Sequence, residues 1–288
     1  MFNQIFISYL MQQEYLSPEN TAKVLDLQKH TKVRIGTLAQ EAKLMTSAQI
    51  DEVNRLQAHQ NARFGDIAVN LGYIRKADLD ILLGKQLKEH VVLKQIICDR
   101  SFMTFDEFDD ALKKFRLSLG VNNVDFSKLQ ENSVEAYIKH VAGIDENDLL
   151  LTEYATTFIT MALRLIDREI RIARSYKAKL LSVKNVAATQ SGARTFYMIC
   201  PDENAALKFA EAYVKDAFDG VFHFFSDDAK NTIAHFLGYV AELVAKQLPP
   251  ANNEELVSAY YDKTRVDGIV TIIPFYLNYG EFCVFVKY

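Results

Sequence analysis

The strongest constraint on how this chain can fold is an internal repeat. Residues 34–57 read RIGTLAQEAKLMTSAQIDEVNRLQ and residues 63–86 read RFGDIAVNLGYIRKADLDILLGKQ, with starts 29 residues apart. Arg and Gly coincide at the first and third places, and Gln at the last. The same step backward gives 5–28, IFISYLMQQEYLSPENTAKVLDLQ, and forward gives 92–115, VLKQIICDRSFMTFDEFDDALKKF. These outer copies keep the apolar skeleton without the Arg-x-Gly opening. A fixed period of this length marks a unit that cannot bury its apolar face alone and is packed against its own copies.

Each copy has a short apolar stretch, a break and a longer amphipathic stretch, which predicts a helix–turn–helix. The breaks carry helix-start chemistry. Thr46 to Gln49 and Thr104 to Glu107 fit a capping box, and Ser17-Pro18 puts a cap before a proline at the first helical place. Leu79, Leu82 and Leu83 recur at helical spacing. Gly72 is suited to end its helix in the left-handed conformation. Lys43 stands there in the preceding copy, so that turn is expected to be strained or differently built.

The pattern R-[hydrophobic]-G, five places, then often G-x-[IL], then a helix ending in Q, recurs here after a five-residue spacer at 58–62. It resembles the N-terminal domain family of MshE-type and type II secretion ATPases (MshEN), over roughly residues 1–115. In that family paired motifs of this kind can bind cyclic di-GMP. The resemblance implies a ligand set of Arg34, Ile35, Gly36, Gln57, Arg63, Phe64, Gly65, Gly72 and Gln86. Arginine suits it because a guanidinium stacks on guanine or pairs with phosphate, and glycine lets the backbone approach. The second copy departs from the family at Ala39, Gln40 and Lys43. A plain helical scaffold stays open beside this reading. In it Arg34 and Arg63 bond neighbouring carbonyls, and Gly36 and Gly65 permit close packing.

Residues 116–148 are more polar and hold Gly120, Asn122, Asn123 and Gly143, so a connector is expected there, with a short helix over 133–141. His140 reads as an exposed helix residue. Beyond it, 149–166 is apolar at helical spacing. A strand near 178–189 and another over 195–200 make a hairpin across Gln190 to Ala193. Helices follow over 204–218 and 227–248, and a second hairpin joins 268–276 to 281–287. This order predicts an α+β domain with a mainly antiparallel sheet.

The stretches TFYMICPDENAALKFAEAYV and VTIIPFYLNYGEFCVFVKY, in that element order, resemble the CheX/CheC family of chemotaxis phosphatases over roughly 149–288. That family carries an E-x-x-N motif in its long helix. The amide is thought to place the water that attacks an aspartyl phosphate, and the acid contacts a lysine of the receiver protein. Here Tyr239 stands at the acid's place and Glu242 at the amide's. A shifted register, with Thr232 and His235 there, also lacks the motif. An amide both donates and accepts hydrogen bonds, whereas an ionised carboxylate only accepts.

The formal net charge of −4 gives no global pull toward nucleic acid or an anionic membrane. Three well-separated cysteines argue against a disulfide framework. No Cys/His spacing suits a metal, no run is long enough to span a membrane, and the N-terminus lacks a basic leader. The expected fold is therefore two-domain. An all-α helical-repeat domain covers 1–115, a connector 116–148, and an α+β CheX-like domain 149–288. The expected function is a non-enzymatic cytoplasmic signalling adaptor without cofactor. Its partner would be a response-regulator receiver domain or a related signalling protein, a homodimer is also open, and the N-terminal repeats would be a regulatory domain. The alternatives are a cyclic di-GMP receptor and a response-regulator phosphatase with a divergent site.

Overall fold

The computed structural model describes residues 1–28, 34–59, 63–84, 89–167, 169–180, 182–214, 224–248 and 255–288. The chain divides into two compact units, Phe2–Asn122 and Asn123–Tyr288, the latter including Met1.

The first unit is helical. Its repeats are α1 (Phe2–Gln12) with α2 (Pro18–Gln28), α3 (Ile35–Glu41) with α4 (Ser47–His59), α5 (Phe64–Asn70) with α6 (Lys76–Gly84), and α7 (Glu89–Asp99) with α8 (Phe105–Ser118). The 29-residue step holds in the backbone. Glu14, Lys43, Gly72 and Ser101 take φ of 60°, 56°, 72° and 54°. After each, the next N–H reaches back to the buried residue five before it: Tyr15 to Leu10, Leu44 to Ala39, Tyr73 to Ala68 and Phe102 to Ile97, at 2.9, 2.8, 3.0 and 3.1 Å. This is the glycine-type helix stop, built with glycine only once. The Lys43 turn is thus not differently built. It repeats the Gly72 turn and carries the steric cost of a Cβ at positive φ.

The caps form as the sequence indicates. Thr104 and Glu107 make the full box, the Gln49 amide oxygen accepts from Thr46 N–H at 2.8 Å, and Ser17 accepts from Asn20 N–H at 3.2 Å. Copies two and three share an aliphatic core of Leu38, Met45, Val53, Ile67, Ile74, Leu79 and Leu82. Copies one and four meet through aromatic rings, with Phe6 against Phe108 at 5.4 Å and Phe115 at 5.3 Å.

The stretch read as a connector is largely helical: the end of α8, α9 (Asn123–Gln130), α10 (Val134–Ala136) and a π-helical turn, Tyr137–Ala142. Its apolar residues explain this. Phe126, Leu129, Tyr137 and Ile138 are buried, and the unit boundary falls at 122/123. His140 is not an exposed, unpartnered residue. It is mostly buried, with Nε2 3.4 Å from Asp125 Oδ2.

The second unit continues with α11 (Leu149–Leu165), β1 (Arg171–Ile172), β2 (Tyr176–Lys179), β3 (Val183–Ser191), β4 (Arg194–Ile199), α12 (Glu203–Val214), α13 (Asp227–Gln247), β5 (Leu256–Thr264), β6 (Ile269–Leu277) and β7 (Gly280–Lys287). All pairings are antiparallel, in the order β1-β6-β7-β4-β3-β5, with β2 also on β6. Both expected hairpins are present, closing at Ser191↔Arg194 and Leu277↔Gly280. The single strand expected over 178–189 is two strands with different neighbours. β5 was not expected, and the helix expected over 204–218 is described only to Val214. The helices pack on one sheet face through rings: Phe158 on Phe236 and Phe275, Phe209 on Phe236 and Phe282, and Tyr154 on Phe196.

Candidate functional site

The long helix α13 has two unlike faces. Ile233, Phe236, Leu237, Val240, Ala241 and Val244 are buried. Ser226 caps its start, accepting from Ala229 N–H. Gly238 lets the helix close on the sheet: a Cβ there would lie 2.5 Å from Ser258 Oγ of β5. Ser258 is in turn hydrogen-bonded to Thr189 at 2.9 Å. This contact fixes how far α13 stands from β5 and β3.

The opposite face carries Thr232, His235, Tyr239, Glu242 and Lys246, spaced by three or four residues and so aligned along one side. Both sequence registers for the missing E-x-x-N pair fall on this stripe. Tyr239 is 39% exposed. Glu242 accepts from Lys246 Nζ at 2.6 Å, and that contact raises the lysine's pKa. His235 Nδ1 lies 3.2 Å from the Tyr213 hydroxyl of α12, extending the stripe onto a second helix. Thr232 donates to the Asp228 carbonyl at 2.8 Å. The face therefore offers aromatic area, hydrogen-bonding groups and a carboxylate held by its neighbour. The Tyr239 and Glu242 positions hold no amide.

The second candidate set lies on the inner repeats. Arg34 and Arg63 both stand at the residue before a helix, with φ/ψ of −80°/148° and −77°/146°, so the repeat presents them alike. Their environments differ. Arg34 Nη2 lies 3.2 Å from Asp99 Oδ2, and its backbone N–H donates to Gln95 Oε1 at 2.8 Å. The Arg63 side chain is exposed and has no partner among the described residues. Among the described residues neither arginine bonds a neighbouring carbonyl through its side chain.

Gly36 and Phe64 are brought together: a Cβ on Gly36 would lie 3.0 Å from the Phe64 ring. Gly65 sits under Leu79, where a Cβ would come within 2.7 Å of a methyl carbon. Ile35 and Phe64 pack partly buried against the inner core. Gly72 has nothing within 4 Å of its would-be Cβ, so its role is the turn. Gln57 is exposed at the end of α4, and Gln86 lies outside the described residues. Ala39, a departure from the family pattern, is fully buried like Ala68 one copy later, and the Gln40 amide donates to Ser47 Oγ at 2.9 Å.

Sequence reasoning missed a polar cluster where α7 faces α3. Lys94 occupies the repeat place of Gly36 and Gly65, and its side chain is only 5% exposed. Its amine lies 2.6 Å from Asp109 and 3.6 Å from Glu41, and above the Phe105 ring at 5.4 Å. His90 Nε2, 3.5 Å from Glu41, helps hold that carboxyl below the usual glutamate range, with Lys94, against the opposing effect of burial. The signal available was alignment by 29 residues, which sets a lysine against two glycines. Among the described residues no group of His, Cys, Asp or Glu is arranged to hold a metal ion, and no helix is long and apolar enough to cross a membrane.

No protein-family model matches the sequence, and no curated protein matches it. Solved structures similar to about half of the chain include chemotaxis proteins. They include CheX from Vibrio vulnificus, at TM-score 0.34 and 10% identity over 48% of this chain and 97% of that one. A CheC-like superfamily protein from Shewanella sp. PV-4 gives TM-score 0.37 and 10% identity over 50% and 97%. A chain of the CheX–CheY–BeF3–Mg complex from Borrelia burgdorferi gives 0.30 and 13% over 47% and 96%.

Proposed function

We propose that this chain is a non-enzymatic signalling adaptor whose α13 face docks a response-regulator receiver domain without hydrolysing its phosphoryl group. One observation carries the reading: the exposed stripe of a CheX-like helix presents Tyr239 and a Lys246-bound Glu242 where that family has its acid and amide. An amide can both donate and accept hydrogen bonds to a water, whereas ionised Glu242 only accepts and brings negative charge toward a phosphoryl group. An aromatic residue flanked by polar groups is, by contrast, the composition of a contact surface. The test is to mix the protein with a phosphorylated receiver domain and follow both complex formation and phosphoryl loss. Binding with unchanged loss supports the adaptor. Accelerated loss that Glu242→Ala removes would make it a phosphatase.

A second reading concerns the first unit and is compatible with the first. Arg34 and Arg63 open consecutive repeats on the same backbone geometry, which favours a guanine dinucleotide such as cyclic di-GMP held by both copies. Calorimetric titration of cyclic di-GMP tests it. Heat that Arg63→Ala abolishes supports the reading, and no heat at millimolar ligand ends it.

A further inference from the structure

We propose that Asp99 is a built-in competitor for the Arg34 guanidinium, a latch on the fourth repeat that an anionic nucleotide must displace. The inference rests on the nucleotide reading of the inner repeats and adds a regulatory contact to it. Arg34 and Arg63 are equivalent by the 29-residue step and by backbone conformation, yet among the described residues Arg34 has a side-chain partner and Arg63 has none. Its two terminal nitrogens face the two Asp99 oxygens, at 3.4 Å and 3.2 Å. A guanidinium fork meets a carboxylate and a phosphate with the same geometry, so the two compete for one site.

The latch is placed by a buried neighbour. Gln95, one turn before Asp99 on α7, is 3% exposed. Its Oε1 accepts both the Arg34 N–H at 2.8 Å and the Thr37 hydroxyl at 3.0 Å. Those bonds tie the start of α3 to α7 and bring Arg34 alongside Asp99. The ion pair itself is open to water, with the Arg34 and Asp99 side chains 70% and 40% exposed. An exposed pair of this kind is weak and screened by salt, so a dianionic ligand can replace it. The acid is particular to copy four among the copies after Arg34, since Asn70 holds the same repeat place in copy three.

The experiment is calorimetric titration of cyclic di-GMP into the full chain, its Asp99→Asn variant, and Asp99→Asn combined with Arg34→Ala. Removing the competing charge should tighten binding about two- to five-fold, the range of an exposed ion pair. The combined variant should lose that gain. Asp99→Ala serves as a second single variant and should tighten binding likewise. If the wild type binds and neither Asp99 variant binds more tightly, the latch is overturned while the nucleotide reading stands. If no protein binds, both are overturned.

Discussion

At the scale of single residues, the backbone of the repeats is more regular than their side chains. Four helices stop on a left-handed residue at the same step, though only Gly72 has the residue type that suits it. Lys43→Gly should therefore stabilise the protein by about 0.5–1 kcal/mol, and Gly72→Ala should cost about 1 kcal/mol, both read from urea midpoints. Gly65→Ala has a different cause, collision with Leu79 inside the core, and should cost about 1–3 kcal/mol. Glu41 gives a pH dependence. Its carboxyl is depressed in the folded state, so its contribution is present above the unfolded value and is lost as pH falls through the folded one. Stability should fall as pH drops below the ordinary glutamate value of about 4.3, and Glu41→Gln should flatten that fall in denaturation curves. The sequence made Gly72 legible because glycine advertises its turn. Lys43 takes the same turn with no such mark, and only the period points to it. Gln95 and Asp99 carried no signal, because their partners, Arg34 and Thr37, lie at the start of α3, more than fifty residues away.

At the scale of elements, local periodicity told most. The helices of the repeats, α11, α13 and both hairpins follow from caps, apolar spacing and turn residues in their own segments. β5 did not, for a physical reason. Among its residues none is buried, so no apolar alternation marks it. What holds it is remote: its ladder to β3, the Gly238 contact, and the ion pair of Lys230 with Asp262 at 2.7 Å. Gly238→Ala should accordingly disturb both α13 and β5, costing about 1–3 kcal/mol. The two faces of α13 should separate cleanly by mutation. Phe236 touches the rings of Phe158, Phe209 and Tyr213, so Phe236→Ala should cost about 3–5 kcal/mol. Tyr239→Ala, on the exposed stripe, should change stability by about 0.5 kcal/mol or less yet weaken receiver binding. Thermal melts and a binding titration on the two variants give the comparison.

At the scale of the whole molecule, the chain joins a helical-repeat unit to an antiparallel α+β unit. The polar stretch expected to separate them instead supplies helices to the second, because apolar residues such as Phe126 and Tyr137 are spaced among its polar ones. The candidate site was legible only where a motif placed it. The α13 stripe came from the E-x-x-N comparison, whereas its extension through His235 to Tyr213 depends on how α12 lies against α13. On the proposed reading, this stripe binds a receiver domain without removing its phosphoryl group. The most direct measurement adds the full chain to a phosphorylated receiver domain and records complex formation and phosphoryl lifetime in the same sample. The expected result is saturable binding that Tyr239→Ala weakens, with a lifetime equal to that of the receiver alone. A shortened lifetime, or no binding at all, would contradict it.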